Sequence, residues 1–283
     1  MTSLIGNAPV DGVDVAALLG IPISAEQERA VQAPLKPCAV IAGAGTGKTT
    51  VMAARVVWLV ASRLVSPEEI LGLTFTNKAT AELSERIESN LTRVGLLTSE
   101  QPRPTVATYD SFAGTLVNDY GAWDGISTGA HLITGARAYQ LAAEVVMGLD
   151  KAPLAATHMG PTFIAQAVVK LAGAMASHDA SPGKVRRADA RWRQMLLDAP
   201  TKRGGDRYAD IDKWLSRVDE REELLDLVAA YQNLKKERGL VEFGDRMVQA
   251  LHLVTHHPRV GEELRARYRV VLLDEYQDTS SAQ

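Results

Sequence analysis

The stretch Ala42-Gly43-Ala44-Gly45-Thr46-Gly47-Lys48-Thr49 limits what this chain can fold into more than any other. It follows a short apolar run, 38–42 (CAVIA), and opens a stretch, 49–60, apolar enough for a core helix. A glycine-rich turn between a strand and a helix lets backbone N–H groups curl around phosphate oxygens without Cβ clashes. The helix N-terminus adds partial positive charge. In such a loop the Lys48 ammonium reaches the β- and γ-phosphates of a nucleotide, and the Thr49 hydroxyl is placed to ligate Mg2+. Ala42 stands where the usual pattern has glycine, and a methyl is tolerated there at negative φ.

Three more apolar runs, 70–75 (ILGLTF), 104–108 (PTVAT) and 269–274 (RVVLLD), read with 38–42 as strands apolar on both faces. That pattern suits a parallel sheet covered by helices on both sides. Ala79, Leu83, Ile87 and Leu91 recur at spacing four and define one face of a helix. Alternation of strand and helix predicts an α/β domain with right-handed crossovers. Between the third and fourth runs the pattern turns helical, over 135–147, 162–175, 185–197, 220–236 and 243–254, with no convincing strand. The chain therefore divides into a flexible leader over 1–20 and a first α/β part over 21–115. An all-α insertion over 116–236 follows, and 237–283 returns to the first domain.

The last apolar run ends in adjacent carboxylates, Asp274 and Glu275. Alone, an acidic pair after a strand is commonly a solvated strand end. Beside a phosphate loop it becomes the second half of a nucleotide site. Asp274 is then in a position to hold the Mg2+ shell, and Glu275 to orient and deprotonate the attacking water.

Composition sets the remaining bounds. Net charge is −3 and the pI is near 6.1, so a nucleic-acid surface must be a local patch. One candidate is 184–207, where Lys184, Arg186, Arg187, Arg191, Arg193, Lys202, Arg203 and Arg207 outnumber Asp189, Asp198 and Asp206. The single Cys38 rules out an internal disulfide and fits a reducing cytoplasm. No apolar run approaches the ~18 residues of a membrane span.

Taken together, AGAGTGKTT, LTFTNKATAELSERI, TYDSF and LLDEYQDTSSAQ resemble the UvrD/Rep/PcrA group of superfamily 1 helicases, over nearly all of the chain outside the leader and the insertion. The wording TYDSFAGTLVNDYG looks most like actinobacterial relatives, of the AdnAB type (RecB-like) or UvrD-like. The resemblance implies a RecA-like P-loop NTPase fold whose sheet is incomplete here. It also implies an ATP-dependent DNA helicase or translocase of 3′–5′ polarity in repair or recombination, with ATP and Mg2+ as cofactors. Its partners would be single-stranded DNA, a single-strand/duplex junction and a second RecA-like domain of the parent protein.

By the same resemblance Gln27 matches the glutamine that reads the adenine edge, and Gln277 and Gln283 match positions near the γ-phosphate and the DNA-coupling path. Thr74, Phe75, Thr76, Asn77 and Ser111 match contacts to single-stranded DNA. Asp110 stands where many relatives carry His, and Thr50 where relatives often carry Arg, so one nucleotide or DNA contact expected there is missing. Glu242 replaces the commoner Asp of a DFxDL segment. The resemblance places the transition-state arginines on the second RecA-like domain, so residues 1–283 are expected to be a fragment that does not unwind DNA by itself. A different P-loop motor, or a nucleotide- and DNA-binding module that hydrolyses nothing, stays open as an alternative.

Overall fold

The structure, a computed structural model, describes residues 12–43, 45–127, 129–149, 158–202 and 205–283. In chain order it contains α1 (Val15–Leu19), α2 (Ala25–Val31), α3 (Lys48–Ala61), β1 (Ile70–Thr74), α4 (Asn77–Arg93), β2 (Thr105–Thr108) and α5 (Tyr109–Tyr120). There follow β3 (His131–Leu132), α6 (Gly135–Met147), α7 (Pro161–Ser177), α8 (Pro182–Leu197), α9 (Ala209–Glu237) and β4 (Leu240–Val241). The chain closes with α10 (Phe243–His256), α11 (Pro258–Arg267) and β5 (Val270–Leu273). Two compact units form. One takes in the described residues up to Phe112 with Val254–Asp278, the other Ala113–Leu253 with Thr279–Gln283.

The first unit is built on a parallel sheet of order β2-β1-β5. Every residue of β1 is buried, as an unalternating apolar run requires. Leu71 pairs with Thr105 on one side and Val271 on the other, so the register aligns the C-terminal ends of all three strands. The expected stripe on α4 packs inward through Leu83, Ile87 and Leu91, against Val56, Leu59 and Ile70. Its N-cap is Thr76, whose hydroxyl accepts from the Ala79 amide at 3.1 Å.

Two expectations for this unit need correcting. The run 38–42 is not a strand: it forms no ladder, and Ile41 is 97% exposed. An extended segment becomes a strand only when a neighbour takes its N–H and C=O groups. Among the described residues none lies beside it, and β5 likewise has a bare outer edge, with Val271 half exposed. The leader, in turn, is folded over 15–19. Asp14 caps α1 by accepting from the Ala17 amide at 3.0 Å, left-handed Gly20 ends it, and Val15 and Leu19 sit in the core against α3. Residues 1–11 lie outside the described residues.

The second unit is mostly helical, with its core among α6, α7 and the C-terminal half of α9, and the short β3–β4 pair in it departs from the expected all-α character. Its boundaries lie outside the expected 116–236, because α10 joins it: Ala250 and Leu253 are buried, and Gly244 lies tight against Ala176. The parallel pair β3–β4 is two residues long on each side and carries too little pattern to be read beforehand. The basic character expected over 184–207 is largely spent internally. Arg186 bonds Glu222 and Asp226 at 2.6 Å each, Arg193 pairs with Asp219, Lys184 with Asp179, and Arg207 with Asp212. Asp189, the one buried residue of α8 among those described, is held bidentately by Arg221 at 2.7 and 2.8 Å. Arg203 lies outside the described residues.

A buried charge cluster fixes the end of α9. Lys235 is 1% exposed and donates to Glu242 and Asp245 at 2.6 Å each, and the Tyr231 hydroxyl donates to Glu242 at 2.8 Å. Asp245 also accepts from the Glu242 amide at 2.8 Å. Glu242, the departure from the DFxDL pattern, thus receives two side-chain donors from α9. Removing the lysine strands two carboxylates, so Lys235→Met is expected to destabilise the protein by about 3–5 kcal/mol. Chemical denaturation checks this, and a loss under about 1 kcal/mol counts against the cluster as a structural fixture.

Candidate nucleotide site

From the exposed 38–42 segment the chain turns through Gly43, Gly45, Thr46 and Gly47 into α3; Ala44 lies outside the described residues. Gly45 and Gly47 have φ of 76° and 84°, the left-handed region where side chains are strained. The Thr46 hydroxyl donates to the Gly43 carbonyl at 2.8 Å and draws the loop closed. Gly47 caps α3 without any side-chain hydrogen bond. The first-turn amides of a long helix are left with their dipole pointing out of the loop, the arrangement that suits a phosphate.

Gln27 lies against this loop. Its Oε1 accepts from the Ser24 amide at 2.9 Å, closing a capping box at the start of α2, and its Nε2 donates to the Thr46 carbonyl at 3.0 Å. A Cβ on Gly47 would come within 3.4 Å of that Nε2. Both ends of the amide therefore hold protein groups in this structure. The other end of α2 is tied to α3 by Arg55, which sequence reasoning missed. Its guanidinium donates to the carbonyls of Ala30, Val31, Ala33 and Pro34 at 2.8–3.3 Å. Half-burial pulls its ionisation below the usual arginine value, and the four carbonyl dipoles favour the charge there. A signal existed: past Lys48, Arg55 is the only charged residue of α3.

Residue 50 also has a cation beside it, from another element. Arg86 of α4 donates to the Thr50 hydroxyl at 2.9 Å. Residue 50 thus presents a hydroxyl with an arginine on it.

The acidic end of β5 is positioned by the sheet. The Asp274 amide donates to the Leu73 carbonyl at 2.9 Å, one rung beyond the β1–β5 ladder. Glu275 then adopts φ of 49°, uncommon for a residue with a side chain. Its amide donates to Asp274 Oδ1 at 3.1 Å, and one carboxylate oxygen stands 3.8 Å from Lys48 Nζ. The Gln277 side-chain amide donates to the other oxygen of Glu275, from the 3-10 turn Tyr276–Asp278. The structure thus brings Lys48, Asp274, Glu275 and Gln277 together from opposite ends of the chain. Burial pushes the Asp274 carboxyl above the ordinary aspartate value, the neighbouring Glu275 charge pushes it further, and the Glu275 amide and Lys48 only partly oppose this. Two carboxylates against one ammonium leave unbalanced negative charge on hard oxygen donors. With the Thr49 hydroxyl in the first turn of α3, that donor set fits Mg2+.

The residues expected to meet DNA are spread over the C-terminal ends of β1 and β2. Thr74 is fully buried, and its hydroxyl is 2.6 Å from that of Thr80 and bonds the Thr76 carbonyl, so it braces the turn instead of facing out. Thr76 and Asn77 are exposed at the α4 N-terminus. Phe75 is half-buried, its ring 4.9 Å from that of Tyr109. Ser111 is exposed, with its amide and hydroxyl both meeting Thr108 Oγ1.

The raised Asp274 carboxyl gives a pH prediction. Its folded-state ionisation lies above the unfolded one, so its charge costs stability above the folded value, and the cost disappears once pH falls below the unfolded value. Asp274→Asn is therefore expected to unfold at a higher temperature than wild type at pH 7, with the gain vanishing as pH falls toward the aspartate range. Thermal melts across pH check this; a variant less stable at pH 7 contradicts it.

Residues 23–283 match the UvrD/REP helicase N-terminal domain. The chain is 26% identical over 261 residues to DNA helicase II of Rickettsia typhi, covering 92% of this chain and 34% of the relative. It is 28% identical over 266 residues to the ATP-dependent DNA helicase UvrD1 of Mycobacterium leprae, covering 92% and 29%. It is also 28% identical over 272 residues to DNA helicase II of Haemophilus influenzae, covering 96% and 32%. The chain spans about a third of the length of these relatives. A glycine loop facing a strand-end carboxylate pair, within a match over nearly the whole chain, makes this protein a member of the UvrD/REP helicase family through its N-terminal domain.

Proposed function

We propose that this chain is the nucleotide-binding portion of an ATP-dependent DNA helicase or translocase that moves 3′–5′ on single-stranded DNA in repair or recombination. The observation that carries the reading is the 3.8 Å approach of Lys48 Nζ to Glu275, which brings the loop and the acidic strand end to one place. ATP phosphates would lie in the loop 43–49 against the α3 N-terminus, with Lys48 on the terminal phosphates. Thr49 and Asp274 would hold Mg2+, which neutralises developing phosphate charge when bound. Glu275 would orient and deprotonate the attacking water, and Gln277 would steady Glu275.

Glu275 lies 3.8 Å from Lys48. Phosphates compete for the ammonium, so nucleotide binding itself would free the carboxylate for its role as base. Gln27 would exchange its contacts with Thr46 and Ser24 for the adenine edge, and Thr50, with Arg86 on it, would border the nucleotide. Single-stranded DNA would cross the strand ends at Phe75, Thr76, Asn77 and Ser111, by stacking and by phosphate contact at the α4 N-terminus. Thr74 would support that surface from below.

A second RecA-like domain of the parent would supply the transition-state arginines, an effect worth ~10³–10⁵ in rate for comparable residues. By that reading residues 1–283 alone bind ATP weakly and do not unwind a single-strand/duplex junction. No helix among the described residues is long and apolar enough to cross a membrane. A DNA substrate and an exposed free thiol at Cys38 favour the cytoplasm.

The two partners of the central ion pair should behave oppositely. Lys48→Ala is expected to weaken Mg·ATP binding by about tenfold or more, because a charge-assisted contact is lost. Glu275→Gln is expected to keep binding or strengthen it, by releasing Lys48, while abolishing hydrolysis in the longer protein. Calorimetric titration with Mg·ATP reads both. Wild-type affinity in Lys48→Ala would sink the assignment of the loop.

A further inference from the structure

Tyr109 is the first residue of α5, directly after β2. The register pairs Thr108 with Thr74 and Leu73 with Leu273, and Asp274 bonds back to Leu73. Tyr109, Phe75 and Asp274 therefore share one end of one sheet, on successive strands roughly 5 Å apart. The Tyr109 side chain packs against Phe75 at 4.9 Å with the rings tilted by 47°, and the residue is 5% exposed.

Its hydroxyl, however, is buried with no hydrogen-bond partner. A buried hydroxyl left unpaired costs stability. Phenylalanine would fill the same space without that cost, so packing does not account for the oxygen. Burial first, and then the nearby Asp274 carboxylate, push the phenol up to about 12. The group therefore stays a protonated donor near neutral pH, within electrostatic reach of Asp274. Asp274 offers the complementary acceptor: Oδ1 takes the Glu275 amide, and a carboxylate has lone pairs for further donors.

We propose that Tyr109 is a positioning residue whose hydroxyl donates to the Asp274 carboxylate when Mg·nucleotide fills the site, and whose ring, packed against Phe75, links that bond to occupancy of the DNA face. This rests on the reading of Asp274 as the metal-holding carboxylate. Through the added hydrogen bond Tyr109 fixes the carboxylate rotamer that Mg2+ needs. A base stacking on Phe75 bears on the same pair of rings, so DNA binding favours the bonded arrangement. An orphaned donor at rest then becomes a source of coupling, because its deficit is relieved only in the loaded state.

Tyr109→Phe in the full chain tests this, since it removes one oxygen and preserves the ring. Thermal unfolding is measured without ligand, with Mg2+ and ATP, and with an oligo-dT strand added. Mg2+ is titrated at fixed ATP. Without ligand the variant should be at least as stable as wild type. With Mg·ATP its stabilisation should be smaller and its Mg2+ half-saturation about three- to tenfold weaker. Oligo-dT should tighten Mg2+ binding in wild type and not in the variant. In an Asp274→Asn background the same change should have no further effect.

Wild-type Mg2+ affinity in Tyr109→Phe overturns the inference. So does an equal loss of stability with and without ligand, which would mean that the hydroxyl is already bonded at rest. If Asp274→Asn itself leaves the Mg2+ dependence untouched, the metal assignment falls and takes this inference with it. If Asp274→Asn is impaired and Tyr109→Phe is not, the Tyr109 inference alone falls.

Discussion

Parallel pairing of β5 with β1 decides where the two carboxylates stand. The pairing register sets Asp274 one rung past Leu273, and its amide bonds Leu73, so the acidic turn begins where the sheet ends. The buried face of β1 and the packing of α3 and α4 around it hold the other half of the site, with Lys48 at the start of α3. A slip of one residue in β5 would turn Asp274 to the opposite face of the sheet. In an all-parallel sheet with helices against it, apolar burial specifies register strongly, which makes a site assembled from the two ends of the chain reproducible.

Several strained or unpaired groups gather at the site, and a few others lie elsewhere: left-handed Arg63 and Asp179, and the buried, unpartnered hydroxyl of Ser62. Glu275 holds a left-handed φ, Asp274 carries a carboxylate that burial disfavours, and Tyr109 buries an oxygen that bonds nothing. Each feature costs stability and each lies within the same few strand ends. Structural charges elsewhere are handled differently: Lys235 is matched by Glu242 and Asp245, and Asp189 by both arms of Arg221.

Features that depend on local order were legible in the sequence. The glycine loop, the α4 stripe through Leu83, Ile87 and Leu91, the runs that become β1, β2 and β5, and the acidic pair all carry their signal within a few residues. The segment 38–42 was misjudged because a strand is a property of two segments, and composition speaks only for one. The basic surface over 184–207 is partly neutralised for a similar reason, since Asp219, Glu222 and Asp226, which pair with Arg193 and Arg186, lie 26–40 positions away on α9. Arg55 and Tyr109 could have been flagged, as the lone charge in an apolar helix and as the polar end of an aromatic beside a strand. Neither role could be assigned before the carbonyls of 30–34 and the carboxylate of Asp274 were placed.

The central claim is that the loop and the acidic pair serve one metal–nucleotide. Mn2+ in place of Mg2+ makes that directly visible, because a paramagnetic ion broadens the NMR signals of amides near it. Titrating Mn·ATP into the protein should broaden the amides of Gly45, Gly47, Lys48 and Thr49 together with those of Asp274 and Glu275, along one saturation curve. Broadening confined to one of the two segments, or two curves of different midpoint, would contradict the account.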